Sequence, residues 1–131
     1  MRLLLDTHVA LWAITDDAKL PESIRSLIKD SSNDVVVSAV SVWEISIKHA
    51  LGRGGPNAMP ISGRGALQYF EAAGYQTLSV TPGHAAAVED LPPIHSDPFD
   101  RLLVAQSLLE PLRLITHDST LARYSDTAIQ F

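Results

Sequence analysis

Short apolar runs recur along this chain, and each gives way to a stretch whose apolar positions return every three or four residues. Leu3-Leu4-Leu5, Val35-Val36-Val37, Gln76 to Val80 and Leu112 to Thr116 are too short for helices and read as strands, with Ala128 to Phe131 a candidate for a last one. Helices are predicted between them. The first runs from His8 to Ile14 with Val9, Leu11 and Trp12, and Asp16-Asp17 closes it. A second opens at Pro21-Glu22-Ser23, with Ile24, Leu27 and Ile28 on one face. A third starts at Ser41 and carries Trp43, Ile45, Ile47 and Leu51. Further helices are expected over 66–73, stopped by Gly74, from Thr81-Pro82 to about Asp90, from Pro98 to Glu110, and from Asp118 to Tyr124. Strands alternating with helices predict an α/β fold with a largely parallel sheet. The stretch from Gly52 to Gly65, rich in Gly and Pro, is read as a surface loop inside one domain spanning 1–131.

Composition narrows the chemistry. The 131 residues contain no Cys, which removes disulfides and thiolate metal sites and is compatible with a reducing cytosol, the expected location. Asp6 interrupts the apolar start, so neither a signal peptide nor a membrane span is expected there. A formal charge of −5 speaks against a bare nucleic-acid-binding surface. Bound cations would reverse that sign locally.

Four acidic blocks change the picture most. Leu3-Leu4-Leu5-Asp6-Thr7-His8, Ser38-Ala-Val-Ser-Val-Trp-Glu44, Asp97-Pro-Phe-Asp100-Arg101 and Leu114-Ile-Thr-His-Asp118 each set an acid where a strand yields to a helix. In a parallel sheet those junctions share the carboxyl edge, where ligands of open α/β folds bind. Each acid also makes sense as a helix cap: Ser41-Val-Trp-Glu44 has the form of a capping box, and Asp97-Pro98 that of an N-cap followed by a first-turn proline. Acids at all four junctions exceed what capping requires, since Ser or Thr serves elsewhere, as at Thr81. Carboxylates a few ångströms apart repel by several kcal/mol at an effective dielectric near 20. A hard divalent ion, Mg²⁺ or Mn²⁺, removes that repulsion. The chain offers no Gly-x-Ser-x-Gly elbow and no phosphate loop, because Gly52-Arg-Gly-Gly55 lacks the Lys-Ser/Thr ending.

Together, Asp6-Thr-His-Val-Ala-Leu-Trp12, Ser38-Ala-Val-Ser-Val-Trp-Glu44-Ile-Ser-Ile-Lys48, His95-Ser-Asp97-Pro-Phe-Asp100-Arg-Leu-Leu-Val-Ala-Gln106 and Leu114-Ile-Thr-His-Asp118 resemble the PIN domain, most closely the VapC-type ribonuclease toxins of toxin–antitoxin pairs. The resemblance implies a three-layer α/β/α sandwich and a Mg²⁺- or Mn²⁺-dependent endoribonuclease. It carries the family's acidic quartet onto Asp6, Glu44, Asp100 and Asp118, with Asp6, Asp100 and Asp118 as metal ligands. Glu44 either completes the metal site or orients the attacking water. Asp97 is read as an outer acid or N-cap, with direct metal contact as the alternative. The resemblance also implies a VapB-like antitoxin partner and a homodimer.

Several neighbours are candidates for contact with RNA. Thr7 and Thr116 sit beside acids and could bond carboxylates, water or nearby backbone; Lys48 could pair with Glu44 at i,i+4 or reach a phosphate. Arg101 could contact phosphate or satisfy Asp100. His8, His95 and His117 flank three of the blocks, and each is expected to be structural before it is a ligand. Arg53, Arg64, Arg113 and Arg123 are read as solvated surface. Trp43 is expected in the core, Trp12 either there or partly exposed. Two other readings stay open: a PIN-type nuclease of RNA processing or DNA repair without a toxin role, and a non-catalytic RNA- or protein-binding module whose acids merely cap helices.

Overall fold

In a computed structural model that describes residues 1–52, 54–55 and 58–131, five parallel strands form one sheet in the order β3-β2-β1-β4-β5. The strands are β1 (Arg2–Leu5), β2 (Asp34–Ser38), β3 (Gln76–Leu78), β4 (Arg113–Thr116) and β5 (Ile129–Gln130). The helices are α1 (Thr7–Ile14), α2 (Glu22–Lys29), α3 (Ala39–Ala50), α4 (Gly63–Ala72), α5 (Pro82–Ala87), α6 (Pro98–Leu109) and α7 (Ser119–Ala122), and Val88–Asp90 forms a 3₁₀ turn after α5. Arg53, read above as solvated surface, and residues 56–57 of the Gly- and Pro-rich stretch lie outside the described residues.

Central parallel strands are covered on both faces, which is why β1, β2 and β4 are continuous apolar runs rather than alternating ones. Side chains still alternate across the sheet. Leu3, Leu5, Val35, Val37 and Ile115 pack with Val9 and Ala10 of α1, Ile24 and Ile28 of α2, Ile45 of α3, and Ala66 and Phe70 of α4. Leu4, Val36 and Leu114 face the other way, against Leu103 and Val104 of α6 and Leu121 of α7. Two apolar layers on opposite faces of one sheet make the expected α/β/α sandwich.

Several details depart from the sequence expectation. α3 begins at Ala39, capped by Ser38, whose Oγ accepts from Val40 N at 3.0 Å. Ser41 therefore sits inside the helix, and the Ser41–Glu44 capping box does not form. β3 stops at Leu78 as a short, largely exposed edge strand. Trp43 is 55% exposed rather than core, because α3 buries the face of Val40, Ser41, Glu44 and Ile45. Its ring meets the edge of Phe99 with centroids 4.8 Å apart. Trp12, by contrast, is partly buried against the first core layer. Gly74 stops α4 as expected, at φ +81. Its N–H bonds Glu71 O and the Tyr75 N–H bonds Phe70 O, each at 3.0 Å, while the Phe70 and Tyr75 rings stack across the end.

The start of α4 lies three residues earlier than expected, where Ser62 caps it with Oγ accepting from Gly65 N at 3.0 Å, and Gly63 there lies close against α3. A Cβ there would come within 1.8 Å of Ser46 Oγ and 2.9 Å of Ser46 Cβ. Replacing it forces α3 and α4 apart, and overpacking of this kind costs roughly 1–3 kcal/mol. Gly63→Ala should lower stability by about that amount in urea titration; an unchanged midpoint would mean the two helices are not in close contact there.

Candidate metal centre

The strand order puts β1 between β2 and β4, so the segments leaving β1 and β4, for α1 and α7 on opposite faces, part side by side at the carboxyl edge, where open α/β sheets bind ligands. Asp6 leaves β1 at that edge and caps α1, its Oδ1 accepting from Val9 N at 2.9 Å. Its Oδ2 accepts from Thr116 Oγ1, at the end of β4, at 2.5 Å. Thr116 Oγ1 in turn accepts from Asp118 N at 3.0 Å. One buried hydroxyl thus joins the two acids across neighbouring strands, so Thr116 bonds a carboxylate and backbone rather than one alone. Asp118 caps α7: its Oδ1 accepts from Thr120 N at 2.8 Å and Leu121 N at 3.2 Å, which leaves Oδ2 turned away from the helix.

Asp97 caps α6, its Oδ1 accepting from Phe99 N at 2.8 Å and Asp100 N at 3.2 Å. Asp100 stands in the first turn of that helix. His95 Nε2 lies 3.1 Å from Asp118 Oδ2 and 3.4 Å from Asp100 Oδ2. One donor atom from each of His95, Asp100 and Asp118 falls within 4.8 Å of the others. Glu44 enters from α3, almost wholly buried, with Oε2 at 2.5 Å from Lys48 Nζ. Its Oε1 is buried without a hydrogen-bond partner among the described residues.

The electrostatics match this crowding. Burial pushes the Asp100 carboxyl up to about 7, assisted by the charges of Asp97, Glu44 and Asp6, with His95 opposing. Burial also raises Asp6, against the bonds from Thr116 and Val9. Asp118 goes the other way: burial works to raise it, but the Leu121 amide, the His95 ring and the Thr120 amide outweigh that and hold it below the usual range.

Thr7 Oγ1 donates to Ser41 Oγ at 3.0 Å, tying α1 to α3. Lys48 pairs with Glu44 and is partly exposed. Arg101 directs its guanidinium into the chain, bonding the carbonyls of Val88, Pro92 and His95 and the Tyr124 hydroxyl at 3.1–3.3 Å. It fastens the segment before α6. His117 is exposed and stacks on Phe131, and His8 is exposed beside Trp12. Sequence reasoning missed a buried polar string under the second layer. Ser38 Oγ donates to Gln106 Oε1 at 2.5 Å, Gln106 Nε2 lies 3.3 Å from His84 Nδ1, and His84 Nε2 lies 2.6 Å from Glu110. A Gln inside the apolar face of α6 was the available signal.

A model of the PIN domain matches residues 3–126. The chain belongs to the PIN domain family. Among solved structures, this PIN domain is similar to a chain of VapBC2 from Rickettsia felis bound to a DNA fragment from its promoter, with TM-score 0.69 and 14% identity over 100% of this chain and 98% of that one. DNA-bound VapBC from Salmonella typhimurium gives TM-score 0.68 at 14% identity, covering 100% and 97%. VapBC-5 from Mycobacterium tuberculosis, described as a toxin-antitoxin system, gives 0.61 at 22%, covering 99% and 95%. No curated protein sequence matches the chain.

The donor chemistry of this PIN domain fits a hard divalent cation. Carboxylate oxygens dominate, one of them is buried without a partner among the described residues, and one carboxyl is driven toward its neutral form by burial and by neighbouring charges. Without a cation, the Asp100 charge works against folding: the raised carboxyl leaves stability intact below about pH 4 and erodes it as pH rises toward 7. In the presence of a chelator, Asp100→Asn should therefore stabilise the fold by about 1–3 kcal/mol at pH 7.5, with the gain fading toward pH 4. Thermal melts across that range check it, and a loss of stability at pH 7.5 would contradict it.

Proposed function

We propose that this PIN domain is a Mg²⁺- or Mn²⁺-dependent endoribonuclease of the VapC type, acting as a toxin in the cytoplasm and neutralised by a VapB-like antitoxin. The observation that carries the reading is the gathering of Asp6, Glu44, Asp97 and Asp100 around one partly buried carboxyl, that of Asp100, raised to about 7 first by burial and then by the charges of Asp97, Glu44 and Asp6. Caps alone do not require such crowding. The likeness in fold to chains of three VapBC complexes supports the antitoxin partner. A homodimer belongs to the proposal through the motif resemblance to VapC-type toxins alone.

Asp6, Asp100 and Asp118 would hold the cation, with Glu44 completing the set or orienting the attacking water. When bound, such an ion polarises water and offsets charge on a phosphodiester. The chain's own contribution is placement. Thr116 fixes Asp6, the α7 amides hold Asp118 ionised, and Lys48 anchors Glu44 by one oxygen while the other stays available. Arg101 steadies the segment that delivers Asp97 and Asp100.

Asn caps a helix about as well as Asp, so Asp6→Asn and Asp118→Asn separate capping from charge. Both variants should fold while losing at least about 100-fold in RNA cleavage and most Mn²⁺ affinity. Cleavage at the wild-type rate would refute the metal-centre reading. The cut RNA should carry 5′-phosphate and 3′-hydroxyl ends; 2′,3′-cyclic phosphate would mean a different chemistry. Growth arrest on expression alone, relieved by the antitoxin, tests the toxin role.

A further inference from the structure

Both ring nitrogens of His95 are engaged. The Asp97 N–H donates to Nδ1 at 3.0 Å, while Nε2 faces Asp118 Oδ2 at 3.1 Å and Asp100 Oδ2 at 3.4 Å. A backbone amide donates and never accepts, so Nδ1 must carry the lone pair and the ring proton must sit on Nε2. A nitrogen that bears a proton has no lone pair for a cation. The grouping of His95, Asp100 and Asp118 thus looks like a mixed nitrogen and oxygen ligand set but does not act as one.

The lock is hard to undo. To ligate through Nε2, the ring would have to carry its proton on Nδ1, where it would meet the Asp97 N–H donor to donor and strand that amide without an acceptor. Rotating the whole residue is opposed from both sides of its backbone. The His95 N–H donates to the Tyr124 hydroxyl at 2.7 Å, and its carbonyl accepts from Arg101 at 3.3 Å.

We infer that His95 is a positioning residue, held in one tautomer by the Asp97 amide, whose Nε2–H gathers the Asp118 and Asp100 carboxylates while staying out of the metal's ligand set. This rests on the proposed reading of the acidic crevice as a metal centre. Its consequence is selectivity. With the imidazole withheld, the donor set is all oxygen, which suits Mg²⁺ or Mn²⁺, whereas a free imidazole would favour Zn²⁺ and its neighbours.

The test uses the full chain. Long-range proton–nitrogen correlation NMR reads the His95 tautomer, first without metal and then with saturating Mg²⁺. The proton is expected on Nε2 in both states. Calorimetric Mn²⁺ binding should weaken about 10-fold or more in His95→Ala, as for other residues that orient ligands. It should return to within about 3-fold of wild type in His95→Gln, whose amide can donate in the same place. A proton on Nδ1, loss of the Nε2 proton on metal loading, or unchanged Mn²⁺ affinity in His95→Ala overturns the role of His95. Absence of Mn²⁺ binding by the wild-type chain overturns the metal centre itself and this inference with it. A wrong tautomer alongside intact binding overturns the inference alone.

Discussion

Like charges in a partly buried crevice repel, and this PIN domain holds them together nonetheless. The scaffold that does so is the parallel sheet. Its three central strands are buried on both faces and pinned in register, Leu5 opposite Val37 on one side and Ile115 on the other. Because every strand runs the same way, the segments leaving β1 and β4 emerge side by side with their acids at the N-caps of α1 and α7. Folding energy drawn from the two apolar layers sets those carboxylates in place, and burial, assisted by the charges of Asp97, Glu44 and Asp6, raises the Asp100 carboxyl to about 7. The site is thus electrostatically incomplete by construction, in the way expected of groups kept for a task rather than for stability.

The helix caps explain how one side chain serves two ends. Asp6 and Asp118 each give one oxygen to the helix that follows and turn the second away from it, Asp6 toward the Thr116 hydroxyl and Asp118 toward the His95 ring. The choice of Asp at these junctions, where Ser suffices at α3 and α4, follows from that second oxygen. Asp97 is different: its capping oxygen takes two amides, and it acts on Asp100 through charge. Capping and metal holding are therefore not rival explanations for the same residue. The cap orients the carboxylate that the crevice uses.

Much of the fold was legible because its signals are local. Val-rich runs, Gly74 at the end of α4 and Asp97-Pro98 at the start of α6 each specify a backbone state within a few residues. Ser41 misled because a capping-box spacing says nothing about whether the helix has already begun; Ser38, at the end of β2, claims the cap first and turns Glu44 inward. Trp43 misled because its spacing with Ile47 and Leu51 is helical, yet periodicity does not say which face meets the sheet. For the site, Asp6 and Asp118 stand at strand–helix junctions as read from the sequence, whereas Glu44 lies inside α3 and Asp100 opens a helix that follows a 3₁₀ turn and a loop rather than a strand. Their cross-links were not legible. Thr116 reaches an acid 110 residues away, and the His95 tautomer depends on an amide that only the folded turn presents. Arg101, read as a contact for phosphate or for Asp100, instead bonds the carbonyls of Val88, Pro92 and His95, which no local spacing announces.

The account stands on whether these carboxylates jointly hold a divalent ion. Anomalous diffraction from crystals of the wild-type chain equilibrated with Mn²⁺ addresses this most directly. The account predicts a strong peak within coordination distance of Asp6, Asp100 and Asp118 oxygens. Well-ordered crystals with no peak in that crevice, or with Mn²⁺ bound elsewhere, would contradict it.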